Sequence, residues 1–340
     1  MKSVARVISW LVVSGLLVVS VRLDWQRANH SAAIDSERLR LAQFQQPVNS
    51  VFDLRAATIP RKQIRSGGPP KDGIPALSDP AFLSANAADF LQADDRVIGV
   101  TIDGKSRAYP IRILSYHEII NDRIADVPIA VTFCPLCDSA IVFDRRTPIG
   151  EREFGVSGLL FNSNVLMYDR GGQPESLWSQ MDGRGVSGPA AGKKLETLPM
   201  QVTTWKSWIE SQPESEVLSN RTGHARDYSS NPYDRYFKTQ RLMFPVDPMD
   251  QRLPTKTPIL GLWEDGGAAA AFPILRSKKS RAGEPKTITG SIGGRSFTIE
   301  MDFDSQTARV IESDEGVHWL NSLWFAWAAF RPGTRIIQPK

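Results

Sequence analysis

Short apolar runs rich in β-branched and aromatic residues recur along most of this chain, each closed by Gly, Pro, Asn or Asp. That pattern predicts strands and turns with few helices. The clearest pair is Ile129-Ala130-Val131-Thr132-Phe133 and Ala140-Ile141-Val142-Phe143, two buried strands either side of Cys134-Pro135-Leu136-Cys137. Upstream, Val97-Ile98-Gly99-Val100 and Ala108-Tyr109 flank Asp103-Gly104, a hairpin signal. Pro110 then opens a predicted helix from Ile111 to about Asn121, with Ile113, His117 and Ile120 on one inward face. Further strands are predicted over Phe154–Leu160, Val165–Tyr168 and Leu177–Met181. A helix over Thr203–Gln212 and a strand over Glu216–Leu218 follow.

The pattern then returns. Ile259-Leu260-Gly261-Leu262, Asp265-Gly266 and Ala271-Phe272-Pro273-Ile274 repeat the hairpin and the proline after it, with one residue inserted. Trp324-x-x-Trp327, Pro332 and Ile336-Ile337 repeat Trp205-x-x-Trp208, Pro213 and Val217-Leu218 at the same spacing. Two matched ends in one order argue for an internal duplication. The expected fold is therefore α+β and β-rich, two unequal repeat-related halves forming one globular unit. The first, Cys-containing half spans 72–218 and the shorter second half 257–340. The Asn-, Pro- and Arg-rich segment 219–256 is too long for a structureless loop and is expected to pack on the body.

The first residues change the picture of where that body works. Lys2 and Arg6 precede an uncharged run from Val7 to Val21, closed by Arg22. Such a run makes roughly 22 Å of helix, which suits a signal or an anchor helix over 1–23. A polar tether, 24–71, follows. The body is expected on the exported side, held to the membrane and facing the periplasm or the outside, or cut free and secreted. A formal charge of +4 over 340 residues gives no nucleic-acid signature.

Both cysteines of the chain lie in the C-x-x-C turn. A strand-like run follows it, so no helix N-terminus is there to lower a thiol pKa. A turn between strands is instead the shape that aims two thiolates at a metal. A second C-x-x-C is absent, so other ligands must come from elsewhere: His117 first, with Met167, Asp169 or His224 after it. Two thiolates with imidazole and thioether suit copper above zinc, in an electron-transfer or metal-delivery role with a partner. The alternatives are a thiol–disulfide oxidoreductase using Cys134 and Cys137, and a non-catalytic scaffold stapled by a structural disulfide. Glu118 is read as orienting the imidazole or simply solvated. Asn162, Asn164, Asp169, Ser176, Trp178 and Gln180 form a polar-aromatic cluster that either bonds across strands or walls a pocket. No nucleotide motif and no H-E-x-x-H occur, and Asp138 after Cys137 excludes covalent haem attachment.

The phrases DGIPAL at 72–77, DGKSRAYPIRIL at 103–114, HEIIND at 117–122, TFCPLCDSAIVFDR at 132–145, FGVSGLLFNSNVLMYDR at 154–170, SLWSQMDGRGVSGP at 176–189 and WFAWAAFRPGT at 324–334 carry a resemblance. The chain resembles domain-of-unknown-function family 3179 of bacteria and archaea. The resemblance implies an exported or membrane-tethered domain with a C-P-x-C turn and a preceding His-Glu, and no activity. Asp138 stands where the family pattern has Gly.

Overall fold

The computed structural model describes residues 51–275 and 285–338. The expected anchor over 1–23, and the tether as far as residue 50, lie outside the described residues. Among the described residues no helix is long and apolar enough to cross a membrane.

Alternation and β-branching give strands nearly everywhere. In order these are β1 (Ile64–Ser66), β2 (Arg96–Ile102), β3 (Lys105–Pro110), helix α1 (Ile111–His117), β4 (Ile119–Ile124), β5 (Val127–Cys134) and β6 (Ser139–Asp144). Then come β7 (Glu153–Phe161), β8 (Asn164–Arg170), β9 (Leu177–Ser179), β10 (Arg184–Ser187), β11 (Gln201–Thr204), α2 (Trp205–Ser211), β12 (Glu216–Leu218) and the one-turn α3 (Asp234–Phe237). The rest is β13 (Pro258–Glu264), β14 (Ala269–Pro273), β15 (Lys286–Ile292), β16 (Arg295–Asp302), β17 (Thr307–Ser313), β18 (Val317–Leu323), α4 (Trp324–Phe330) and β19 (Arg335–Ile336).

Two of these expectations change. The helix after Pro110 ends at His117, not near Asn121. Glu118 takes a left-handed φ of 58°, its amide closing on Leu114 O at 2.7 Å. Ile119-Ile120 then start β4, where β-branching favours a pleat. The tether also ends early: Ile64–Ser66 pairs with Leu159–Phe161, and Phe52, Leu54 and Ile64 are buried.

Three large sheets result, beside a two-stranded one of Arg146–Thr147 and Gly150–Glu151. In the first, Leu77–Ser78 leads into the order β4-β5-β6-β18-β13-β14-β19. In the second the order is β15-β16-β17-β11-β2-β3-β12, ending on Phe82–Ser84. The third is β1-β7-β8-β9-β10, and the described residues form one compact unit.

The same local build occurs twice. β2 and β3 form a hairpin with Gly99 opposite Ala108, and β13 and β14 one with Gly261 opposite Ala271. A Cβ on Gly99 would meet the Trp208 ring at 2.2 Å, and one on Gly261 the Trp327 ring at 2.4 Å. Glycine is therefore required at both places, because each indole lies on the bare backbone. Trp208 Nε1 donates to Ser215 Oγ at 2.8 Å and Trp327 Nε1 to Thr334 Oγ1 at 3.1 Å. The strand after each Trp helix returns parallel to the hairpin, Val217 beside Ala108 and Ile336 beside Ala271.

Between hairpin and Trp helix each half carries a three-stranded meander, β4-β5-β6 or β15-β16-β17. Their registers agree: Ile119 opposite Thr132 and Thr287 opposite Glu300; Cys134 opposite Ser139 and Asp302 opposite Thr307. Each meander extends the other half's sheet. β6 joins β18 through Ala140 and Asn321, and β17 joins β11 through Ala308 and Val202. The first half then adds residues 145–200, which supply all of the third sheet except β1.

Candidate functional site

The C-P-L-C turn joins β5 to β6. Cys137 N donates to Cys134 O at 3.1 Å, and Asp138 adopts a φ of 46°. That left-handed conformation is why glycine suits the position. Asp138 holds it with both carboxylate oxygens 3.0 Å from Arg96 Nη1. The second half grips the turn from behind: Leu323 N donates to Cys137 O at 2.7 Å.

Both thiols are buried and unbridged. Their sulfurs meet the tight turn of the β7–β8 hairpin, Cys134 Sγ 3.7 Å and Cys137 Sγ 3.2 Å from Ser163 O. Burial alone would push the Cys134 thiol up. Hydrogen bonds from the Cys137 thiol and from the amides of Cys137, Val165 and Leu136 offset this and hold it below the ordinary thiol value. Burial, and then the hydrogen bond and charge of Cys134, push Cys137 well up.

The matching turn of β16–β17 shows what those amides select. Asp302 stands where Cys134 does, and its Oδ1 accepts from Asp304 N at 2.9 Å and Ser305 N at 3.1 Å. Asp304 and Ser305 match Leu136 and Cys137 in register. One pair of amides thus bonds a carboxylate in one half, and in the other its counterparts help to lower the pKa of a thiol. Backbone N–H pairs of this kind favour an anion.

Glu118 lies at this site, beside the strand that carries Cys134; its carbonyl accepts from Phe133 N at 2.8 Å. Its side chain is buried rather than solvated, and burial raises its pKa well above the usual carboxyl value, with the charge of Cys134 adding to the effect. Segment 219–256 covers the sulfurs. Tyr236 Oη donates to Leu136 O at 3.0 Å, and Ser163 Oγ to Phe244 O at 2.8 Å. Asn162 brackets Asp247, accepting from its amide at 3.0 Å and donating to its carbonyl at 3.2 Å. Lys256 Nζ stands 3.2 Å above the Tyr236 ring and donates to Tyr236 O. Burial and the charges of Glu118 and Cys134 raise the Tyr233 hydroxyl pKa.

His117 goes elsewhere. Its Nδ1 donates to Pro75 O at 2.7 Å, which leaves Nε2 to accept from Tyr228 Oη at 2.6 Å. Burial, with His224 and Arg226 adding to it, lowers its pKa to about 4. The imidazole anchors the start of the covering segment, and His224 beside it is exposed, ring centroids 5.2 Å apart. Asp169 is likewise engaged, with Oδ1 on Ser176 N and Oδ2 on Trp178 Nε1, both at 2.9 Å. Met167 is buried between Val156 and Trp178 in the third sheet. Among the described residues no three His, Cys, Asp or Glu side chains gather to hold a metal ion.

The polar cluster divides. Ser176 and Trp178 both donate to Asp169. Gln180 Oε1 accepts from Ser139 Oγ at 2.9 Å and Asn164 Nδ2 at 2.8 Å, and Asn164 works against the rise of the Cys137 pKa. Gln180 and Asn164 thus back the thiols, whereas Asn162 fastens the cover. Tyr233, Tyr236 and Phe244 complete the site from a segment whose sequence has no periodicity to announce them.

No curated protein and no solved structure matches the chain. Residues 71–334 match a family described as proteins of unknown function, DUF3179. That span takes in the C-P-L-C turn, the covering segment and both hairpins, and the chain belongs to the DUF3179 family.

Proposed function

We propose that Cys134 and Cys137 are a dithiol–disulfide redox pair, with Cys134 the attacking sulfur. The observation that carries this is the turn geometry that Cys134 shares with Asp302 of the other half, where the two turn amides bond the Asp302 carboxylate. A sulfur in that position is stabilised as the thiolate, which is the nucleophilic form. The Cys134 thiolate attacks a partner disulfide and releases one partner thiolate. Cys137 then loses its proton and attacks Cys134 Sγ, which closes the Cys134–Cys137 disulfide and releases the second partner thiolate. Two electrons pass to the partner, and the two leaving sulfurs take up one proton from Cys137 and one from Glu118 or water. The covering segment moves aside to admit the partner.

The test is oxidation of the full chain by oxidised glutathione, read by mass spectrometry. The expected product is an intramolecular disulfide. Cys137→Ser is expected to trap glutathione on Cys134, while Cys134→Ser leaves Cys137 largely unreactive. A chain that stays a dithiol, or a Cys137 that reacts first, sinks the proposal.

A second reading keeps a metal at the same sulfurs. Both Sγ atoms approach one oxygen, Ser163 O, at 3.7 and 3.2 Å, and so point toward a common place. Two converging thiolates suit a soft ion such as copper(I) better than zinc, which takes four ligands. A metal-delivery or electron-transfer role then follows. Stoichiometric copper in anaerobically reduced protein, lost in Cys134→Ser, would favour it.

The N-terminal charge and apolar pattern support an exported body held by a membrane anchor. Shared registers and the two Gly–Trp contacts support an origin of the two halves by internal duplication.

A further inference from the structure

The correspondence between the halves fails at one place, beside β11. In the second half, β18 runs along the whole of β13, from Leu323 opposite Pro258 to Val317 opposite Glu264. In the first half, β11 pairs with β2 only from Thr204 opposite Arg96 to Gln201 opposite Gly99. Among the described residues the edge Val100–Ile102 therefore has no strand where Leu262–Glu264 has Val317–Trp319.

The facing edge is open as well. β17 meets β11 through Ala308 and Val202, and no strand lies against Arg309–Ser313 on that side among the described residues. In the other half the matching edge of β6 is taken, with Thr197 opposite Phe143 and Leu198 opposite Val142.

Pro199 gives the physical cause. Counting back from the matched Trp helices, Leu198, Pro199 and Met200 stand where Val317, His318 and Trp319 stand. A proline has no N–H for the ladder and does not continue a central strand. The chain leaves the second sheet there and lays Thr197–Leu198 on the first. A cavity of about 480 Å³ remains, lined by Gly99, Thr101, Met200, Arg309, Ile311 and Trp319. Ile311 is 53% exposed at its mouth. Edges that flank one missing strand stand roughly 9–10 Å apart, twice the usual spacing.

We propose that this slot receives an extended segment of another polypeptide, added as a strand between Val100–Ile102 and Arg309–Ser313. The second half supplies the pattern of the occupant: a proline-free strand such as Val317-His318-Trp319-Leu320, with apolar side chains alternating toward the sheet face. Main-chain hydrogen bonds to exposed edges supply the affinity in this mode of recognition, and alternate side chains the selectivity.

The experiment pans a displayed decapeptide library against the full chain and follows one enriched synthetic peptide by amide hydrogen exchange. The expected result is slowed exchange over Val100–Ile102 and Arg309–Ser313 on binding. N-methylation of alternate peptide residues is expected to weaken binding by about tenfold or more, since each lost edge bond strands a partner. Ile311→Pro is expected to weaken it similarly, because Ile311 has no partner on β16 and its substitution spares that ladder. Absence of any enriched peptide overturns the proposal, as does binding indifferent to N-methylation. Concentration-dependent self-association that protects the same amides makes a second copy of this chain the occupant, and equally overturns it.

Discussion

The Pro135–Asp138 and Phe303–Gln306 turns share a register and a left-handed fourth residue, yet they live in different surroundings. Asp138 has φ 46° and Gln306 φ 54°. Asp304 and Gln306 are exposed, while Cys134 and Cys137 are sealed under Ser163, Tyr236 and Phe244. The difference comes from what surrounds the first turn, the third sheet and the covering segment. The meander supplies a turn of the same shape in either place; the third sheet and the covering segment supply the dry enclosure. A sulfur held in such a place differs chemically from a carboxylate held in water, because burial raises the stake of every hydrogen bond it makes.

The largest effect is expected where the halves agree most closely. Gly99→Ala and Gly261→Ala each drive a Cβ into an indole, and each is expected to cost about 2–3 kcal/mol in denaturant unfolding. A cost for one and none for the other breaks the comparison. The next concerns His117, which has a counterpart in burial but not in place, His318; both have lowered pKa values. A histidine whose folded pKa is about 4, against 6.5 unfolded, binds fewer protons folded than unfolded between those values. Stability is therefore expected to fall as pH drops from 6.5 to about 4. His117→Phe should flatten part of that slope and loosen the covering segment, leaving the share of His318. An unchanged slope would remove His117 from this account. The smallest effect sharpens the comparison of the turns: Asp302→Cys places a thiol on the same amides without the cover. Its alkylation rate is expected to report a pKa about one unit below the ordinary 8.5. An ordinary profile would mean that the amides alone do not stabilise the thiolate.

The two hairpin–indole contacts were legible because the packing that makes them admits few residues. Only glycine fits under an indole, so Gly99, Gly261 and the Trp pairs recur as identities. The meanders were not legible. A register constrains the backbone, and positions such as Thr132 and Glu300 match in geometry with nothing alike in their side chains. At the site, the C-x-x-C turn between strands was readable from spacing. The short connector after His117 suggests that the imidazole lies close to that turn. Ile119-Ile120 instead begins a strand, and the left-handed Glu118 leaves the carboxyl near Cys134 while His117 faces Pro75 and Tyr228. The aromatic cover comes from a long segment that no local rule links to residue 134.

The exchange of meanders makes the order of synthesis matter. β11 gains its neighbour β17 only when residues near 308 have left the ribosome, and β6 waits for Asn321. Contacts so distant along the chain close slowly, and unfilled edges invite wrong partners meanwhile. A nascent chain halted before its last few dozen residues would hold the cysteine turn with nothing behind it. Truncation from the C-terminus is thus expected to disable the distant N-terminal half, and each half serves the other as a chaperone in cis.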